Sequence, residues 1–205
     1  IGRGLVSDIA PFLASITLDR KVAIACDTVF LDTLAQELTR SLETRDFTVL
    51  LHPMTGGKAN KTWSELEDLY ELMERNEFAR DSSLIALGGG VIGDTAGFAA
   101  ATFLRGINLI HVPTTVTSQI DSSIGGKVGI NYRSTINAIG TYYHPRRVFI
   151  DLAFLDALPQ RDFVAGLAEI IKCAVIADPA LFEYLSHHAR QILRREEGPL
   201  LHIYR

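Results

Sequence analysis

Cysteine is scarce in this chain, with Cys26 and Cys173 the only two among 205 residues. Both sit in apolar runs, VAIACD and IIKCAVIA, without CxxC spacing. That argues against a disulfide scaffold and predicts two reduced, buried core thiols in a reducing compartment. Positive charge is not in excess either. The formal net charge is −4, so no global field draws nucleic acid or an anionic membrane, and an anionic ligand must be met by locally placed cations. No apolar stretch is long enough to span a bilayer, and no signal-peptide pattern opens the chain. Internal repeats, low-complexity segments and an HExxH pair are all missing. Ile1 rather than Met opens the chain, and LLHIYR closes it without a capping Gly or Pro, so both ends are expected to be cuts.

Hydrophobic residues make up 47% and charged residues 21%, the balance of a globular protein with a substantial core. Short β-rich runs alternate with helical patterns. Lys21–Asp27 reads as a strand, Phe30–Leu42 as an amphipathic helix, and Phe47–His52 as the next strand before the polar loop HPMTGGKANK. Thr62–Glu74 reads as a helix, with Trp63, Leu66, Leu69, Leu72 and Met73 at helical spacing. Ser83–Leu87 is a third strand, running into Gly88-Gly89-Gly90 and the small-residue helix VIGDTAGFAAATF. Ile107–Val112 and Val148–Asp151 are further strands. This alternation predicts an α/β fold with a Rossmann-like parallel sheet. Ligands are then expected beyond the carboxyl ends of the strands, where Asp27, Gly88–Gly90 and Pro113-Thr114-Thr115 lie. From about Leu158 the pattern becomes helical: Phe163–Ala177 and Pro179–Arg195, with Asp178 as N-cap and Pro179 at the first helical position. An α/β domain over residues 1–157 and the start of a helical domain over 158–205 are expected.

Gly88, Gly90 and Gly93 satisfy GxGxxG between a strand and a helix, which lets backbone approach a pyrophosphate at a helix N-terminus. The motif lies in the third strand–helix unit, without an acidic residue about 20 positions on, so a simple tight turn competes with it. Asp27 can accept hydrogen bonds from a ribose or cap the helix that follows. Arg105 can clamp a phosphate or stand solvated at a helix end. Residues 112–131, VPTTVTSQIDSSIGGKVGIN, combine hydroxyls, Asp121, a Gly-Gly pair and Lys127. Read as a loop, this segment suits an anionic substrate held over exposed N–H groups. Glu169 and Lys172 share a face of the apolar helix GLAEIIKCAVI, as an ion pair or with Glu169 as a single ligand of a divalent metal. His187 and His188 are adjacent, so their side chains diverge by about 100° and do not chelate together.

GGGVIGDTAGFAAATFLRG, VPTTVTSQIDSSIGGKVGIN, NAIGTYYHP and LPQRDFVAGLAEIIK, in this order and spacing, resemble the 3-dehydroquinate synthase family from about Lys21 to Leu185. The wider group, the sugar phosphate cyclases, includes the synthases of 2-epi-5-epi-valiolone and 2-deoxy-scyllo-inosose. DSSIGGK is more similar to the dehydroquinate branch, whereas GTYYHP leans towards the valiolone-type branch. The resemblance implies a cytoplasmic, homodimeric lyase of the shikimate pathway of aromatic amino acid biosynthesis. Such an enzyme converts the seven-carbon sugar phosphate DAHP to 3-dehydroquinate and phosphate, with NAD as a recycled catalyst and zinc or cobalt as the metal.

By matching motif positions, the resemblance implies that Asp27, Lys61, Gly89, Gly90, Val91, Asp94, Thr114 and Thr115 line the NAD site. Asp121 would sit between NAD and substrate, and Lys127 and Asn137 would hold the substrate's anionic groups. Arg105 would reach across a dimer interface. Glu169 would be one metal ligand, and Lys172 would contact the substrate's hydroxyl or carboxylate region. Residues 1–157 would then be the NAD-binding domain, and 158–205 the beginning of a metal- and substrate-binding domain. Two positions depart from the family's pattern: Ile136 replaces a lysine expected near NAD, and Lys58 replaces a glutamate expected near the adenosine end. Family members are also longer, with two histidine metal ligands in a C-terminal helical part. Another sugar phosphate cyclase acting on sedoheptulose 7-phosphate, a non-catalytic NAD-binding relative and an alcohol dehydrogenase of the glycerol dehydrogenase type are the alternatives.

Overall fold

Strand β1 (Lys21–Asp27) is buried continuously from Val22 to Cys26, as a strand must be when a parallel sheet is covered on both faces. The computed structural model describes residues 1–205. In it β1 pairs in parallel with β2 (Thr48–Met54) on one side and with β3 (Ser83–Gly88) on the other. Next to β3 lies β4 (Asn108–Pro113). A separate antiparallel hairpin follows, β5 (Lys127–Tyr132) and β6 (Thr135–Tyr142), and then the short edge strand β7 (Arg147–Val148). The sheet order is β2-β1-β3-β4-β7, so chain direction across the sheet reverses between β1 and β3.

The two-residue period of the strands divides the core. Val22, Ile24, Cys26, Ile85, Leu87, Ile110 and Val112 meet Ile9 and Leu13 of α1 (Ile9–Ile16) and Leu38 and Leu42 of α2 (Leu34–Glu43). Ala23, Ala25, Leu84, Ala86 and Leu109 face the other way, under α3 (Trp63–Arg75) and α4 (Gly90–Thr102). Each large apolar side chain removed from water here contributes about 1.5–3 kcal/mol. The alanines on the second face let α4 lie close to the sheet. That helix is buried almost all round, from Thr95 to Ala100, which requires a cover on its outer side. The hairpin is that cover: a Cβ on Gly97 would stand 2.4 Å from Val128 Cγ1. Residues 112–131 are therefore not the open loop their composition suggested. They hold one π-helical turn, Ser118–Ser122, and then β5.

The helical part comprises α5 (Gln160–Ala177), α6 (Pro179–Leu193) and α7 (Glu197–Ile203). Asp178 caps α6 as expected, its Oδ1 accepting from Leu181 N at 3.0 Å. Helix α7 was hidden by Gly198-Pro199, although proline is tolerated in a first turn. Phe163, Leu167 and Ile170 of α5 pack with Ile192, Leu200 and Ile203 in a third apolar cluster, joined by Val116 and Ile150. Gly166 sits so close to Val116 that a Cβ would stand 2.4 Å from the valine Cβ. Some expectations are corrected. Cys26 is buried, but Cys173 is exposed on α5. Trp63, at the first position of α3, is 53% exposed and outside the apolar stripe. Helix α2 begins at Leu34, after a 3-10 turn at Thr28–Phe30. The last strand is limited to Arg147–Val148, and Asp151 instead caps the turn that follows, accepting from Ala153 N at 2.9 Å.

Burial of His111 on β4 pushes its imidazole pKa down to about 4. The unfolded chain binds this proton near pH 6.5 and the native chain does not, so stability falls as pH drops from about 6.5 towards 4. Denaturant unfolding of the wild type is expected to lose up to about 3 kcal/mol across that window through this group. A His111→Asn variant should lose correspondingly less; equal slopes would remove His111 as the cause.

Candidate functional site

The reversal of chain direction between β1 and β3 opens a crevice at the carboxyl ends of these strands, the usual ligand site of open α/β sheets. Asp27 ends β1 there, beside Gly88 of β3: a Cβ on Gly88 would lie 3.3 Å from Asp27 Cβ and 2.6 Å from Ile92 Cγ1. Gly56, in the loop after β2, closes the other side, its Cβ position lying 2.9 Å from Asp27 Oδ2. Asp27 Oδ1 accepts from Val29 N at 3.2 Å, so the carboxylate does cap the following turn, and its second oxygen has no hydrogen bond. Gly89 is the N-cap of α4, with no side chain capping its first turn. The glycine motif belongs to the third strand–helix unit in sequence, yet β3 is the central strand of the sheet.

Thr114 is buried and donates its N–H to Gly88 O at 3.0 Å, locking the end of β4 to that of β3. Thr115 faces Gly89, and Ser122 faces Gly90 with its Oγ 3.2 Å from the Cβ position. The π turn between them is a rare geometry, enriched at functional sites. Gln119 fixes it from inside: fully buried, its Nε2 donates to Pro113 O at 3.1 Å and Asp151 O at 2.9 Å. The turn aims Asp121 towards Lys127, with Oδ1 and Nζ 3.9 Å apart.

Beside the glycine turn lies a cavity of about 620 Å³ walled by α4, the π turn and the hairpin. Lys61 is almost fully buried at its edge, where its ammonium pairs with Asp94 and donates to Asn137 Oδ1. Burial lifts the Asp94 carboxyl above its ordinary range, with the Lys61 ammonium pulling the other way. Asn137, held at a φ of 53°, also donates its N–H to Asn131 Oδ1 at 3.0 Å. Lys61, Asp94, Asp121, Lys127 and Asn137 thus line one space. Val91 lies in the first turn of α4, half-buried. Asp121 also lines a second cavity of about 270 Å³, bounded by Glu169, Lys172 and Cys173 of α5. Glu169 and Lys172 form an ion pair, which holds the Lys172 ammonium more firmly protonated.

Arg105 is not brought to either cavity. It is exposed in a left-handed corner, Leu104-Arg105-Gly106, before β4, at the amino-terminal edge of the sheet. Ile136 is 64% exposed on β6, and Lys58 lies in the 3-10 turn before Lys61, its carbonyl accepting from Asn131 Nδ2 at 2.9 Å. His188 and His202 stack on opposite faces of Tyr184, with ring centroids 3.9 and 3.8 Å from it. Sequence reading missed Ser122, Gly129, Gly140 and Tyr142 as cavity residues. The signal for Gly129 and Gly140 was the alternation through VGINYRSTINAIG, with a two-residue turn at Arg133-Ser134. No helix is long and apolar enough to cross a membrane.

Residues 51–165 match the family described as 3-dehydroquinate synthase N-terminal. The 3-dehydroquinate synthase of Geobacter metallireducens is 40% identical over 202 residues, covering 98% of this chain and 56% of the relative. The chain spans about half the length of the curated relatives it matches. Among solved structures, a 2-epi-5-epi-valiolone synthase from Streptomyces hygroscopicus subsp. jinggangensis, with NAD+ and Zn2+ bound, superposes with a TM-score of 0.89 at 28% identity, covering 100% of this chain and 57% of that one. A 2-deoxy-scyllo-inosose synthase complexed with carbaglucose-6-phosphate, NAD+ and Co2+ gives a TM-score of 0.76 at 31% identity, covering 83% of this chain and 46% of that one. A crevice at the chain reversal, a glycine turn facing it and this match over more than half of the residues lead to one assignment: the chain belongs to the 3-dehydroquinate synthase family, whose N-terminal region it carries.

Proposed function

We propose that this chain is the nucleotide-binding part of a 3-dehydroquinate synthase, which converts DAHP to 3-dehydroquinate and phosphate. The reading rests on one juxtaposition: Lys61, Lys127, Asp121 and Asn137 surround a single cavity beside an uncapped glycine turn at the chain reversal. The molecule is acidic overall; with Lys61 already paired with Asp94, Lys127, held only at 3.9 Å from Asp121, is the local cation suited to an anionic ligand.

The crevice fits a dinucleotide. Gly88 and Gly56 bring backbone against Asp27, whose free oxygen suits a ribose hydroxyl, and Gly89-Gly90 leave N–H groups at a helix N-terminus for a pyrophosphate. Lys61, Val91, Asp94, Thr114 and Thr115 complete that lining in this reading. Held by these residues, a dinucleotide would supply reversible hydride acceptance and return, with no net oxidation of the substrate. Lys127 and Asn137 hold the anionic groups of the sugar phosphate and orient the leaving phosphate. Asp121, shared by both cavities, orients the substrate between the nucleotide crevice and α5. Lys172 contacts the substrate's hydroxyl or carboxylate region. The work of these side chains is orientation and charge stabilisation.

Glu169 offers one oxygen ligand to a divalent metal, zinc or cobalt in this family. The chain holds no group of three metal-ligating side chains, so these residues alone do not close a metal site. In this reading residues 1–157 form the NAD-binding domain and 158–205 begin the metal- and substrate-binding domain. The enzyme is a cytoplasmic homodimer, and Arg105 enters the site from a second copy, being too far round the sheet to serve its own.

The test is release of phosphate from DAHP by the full-length protein with catalytic NAD and zinc or cobalt. Release that stops on adding a chelator is expected. Silence with DAHP but release from sedoheptulose 7-phosphate would favour a valiolone-type cyclase, the second reading supported by the superposition over the whole chain.

A further inference from the structure

Two tyrosines stand side by side at the end of the hairpin, and the fold uses only one of them. Tyr143 is half-buried, and its Oη donates to Ile107 O at 2.6 Å, tying the chain after β6 to the start of β4. Tyr142 points the other way. It is 75% exposed and makes neither a hydrogen bond nor an aromatic contact. A ring three-quarters exposed buries little apolar surface, so packing alone gives it little to do.

Its place on β6 says what it faces. Tyr142 lines the 620 Å³ cavity together with Ala138 and Gly140 of the same parity and with Asn137 and Thr141. Across the hairpin Gly129 pairs with Gly140, and Lys127 pairs with Tyr142. Directly opposite residues of an antiparallel pair project to the same face about 4.5–5.5 Å apart at Cβ. Glycine is required at 129 and 140 by the hairpin itself, since added Cβ atoms would meet partner backbone at 2.5 and 2.2 Å. The floor of the cavity is therefore low, and Lys127 with Tyr142 forms the wall at that end. The only carboxylate paired with Lys127 is Asp121, at 3.9 Å and at the limit of an ion pair.

We infer that Tyr142 is a substrate-binding residue, its phenol O–H donating to the same anionic group that Lys127 holds, on a phosphorylated polyhydroxy substrate. The assignment rests on the proposed sugar phosphate reaction. It adds a phenol donor and an aromatic ring to a cavity whose lining has no other aromatic residue. A cation and a phenol on one face bind a phosphate with direction, where a lysine alone supplies a point charge.

The experiment uses the full-length protein and steady-state kinetics with DAHP, alongside NAD titration and thermal melting. Tyr142→Phe keeps the ring and removes the donor; it should raise KM for the sugar phosphate about tenfold and leave kcat, NAD affinity and Tm unchanged. Tyr142→Ala should raise KM further. Because both residues hold one group, adding Tyr142→Phe to Lys127→Ala should change KM much less than it does alone. An unchanged KM in both tyrosine variants of an active enzyme overturns the inference and leaves the proposed function standing. A lowered Tm and kcat at constant KM marks a structural residue and also overturns it. If the wild type releases no phosphate from any sugar phosphate while still binding NAD, the inference falls together with the reading beneath it.

Discussion

Replacing Lys61 with methionine is expected to destabilise the protein by about 2–3 kcal/mol and to weaken dinucleotide binding at least about tenfold. The side chain of Lys61 is 7% exposed and that of its partner Asp94 21%. Removing the ammonium strands a carboxylate already lifted by burial, and breaking such a pair costs more than the pair contributes. The cost is below that of a fully buried pair because water still reaches Asp94. Asn137 loses a donor at the same time, and with it one hold on the hairpin residue that turns through φ 53°. Without Lys61, Asp94 keeps its proton to higher pH in the native state than in the unfolded chain. The unfolded state then binds fewer protons in that window, so the deficit grows from acid to neutral pH. Adding Asp94→Asn removes the stranded charge and should recover most of the stability and abolish that pH dependence. Thermal melts at pH 5 and pH 8 with NAD titration read all of this. A melt unchanged by Lys61→Met would show that the pair carries no net stability.

Changing Glu169 to glutamine in the full-length protein is expected to lower metal-dependent turnover by about a thousandfold or more while the fold stays intact. Glutamine keeps the volume and one oxygen but loses the negative charge with which a carboxylate holds a divalent cation. The Glu169 side chain is about one-third exposed and its one partner is the exposed Lys172, so melting should shift little. The measurement is metal affinity by chelator competition together with phosphate release. Weakened metal binding with an unchanged melt supports the assignment; unchanged metal affinity removes Glu169 from the metal site.

Much of this architecture was written locally. β1, the capped helices α3 and α6, and the glycine turn into α4 follow from apolar runs and from Thr62, Asp178 and Gly88–Gly90, because the forces involved act between residues close in sequence. The hairpin was less visible. Its strands contain Gly129 and Gly140 and bury no residue on β6, so the composition suggested a loop. The all-round burial of α4 was the clue, since an apolar helix with no polar face must be covered. Cys173 was misjudged because an apolar run does not say which side of a helix meets the core.

The sequence by itself determined the α/β class, the family and the residue types able to meet an anion. Each of these depends on short-range pattern or on motif identity. Only the tertiary structure decided that Lys61, Asp94 and Asn137 form one cluster, across separations of 33 and 76 residues. It alone set Tyr142 opposite Lys127, left Arg105 at the far edge of the sheet, and made Asp121 common to two cavities. Contacts of that kind come from strand order and register, which packing of the whole chain fixes and which local propensity does not encode.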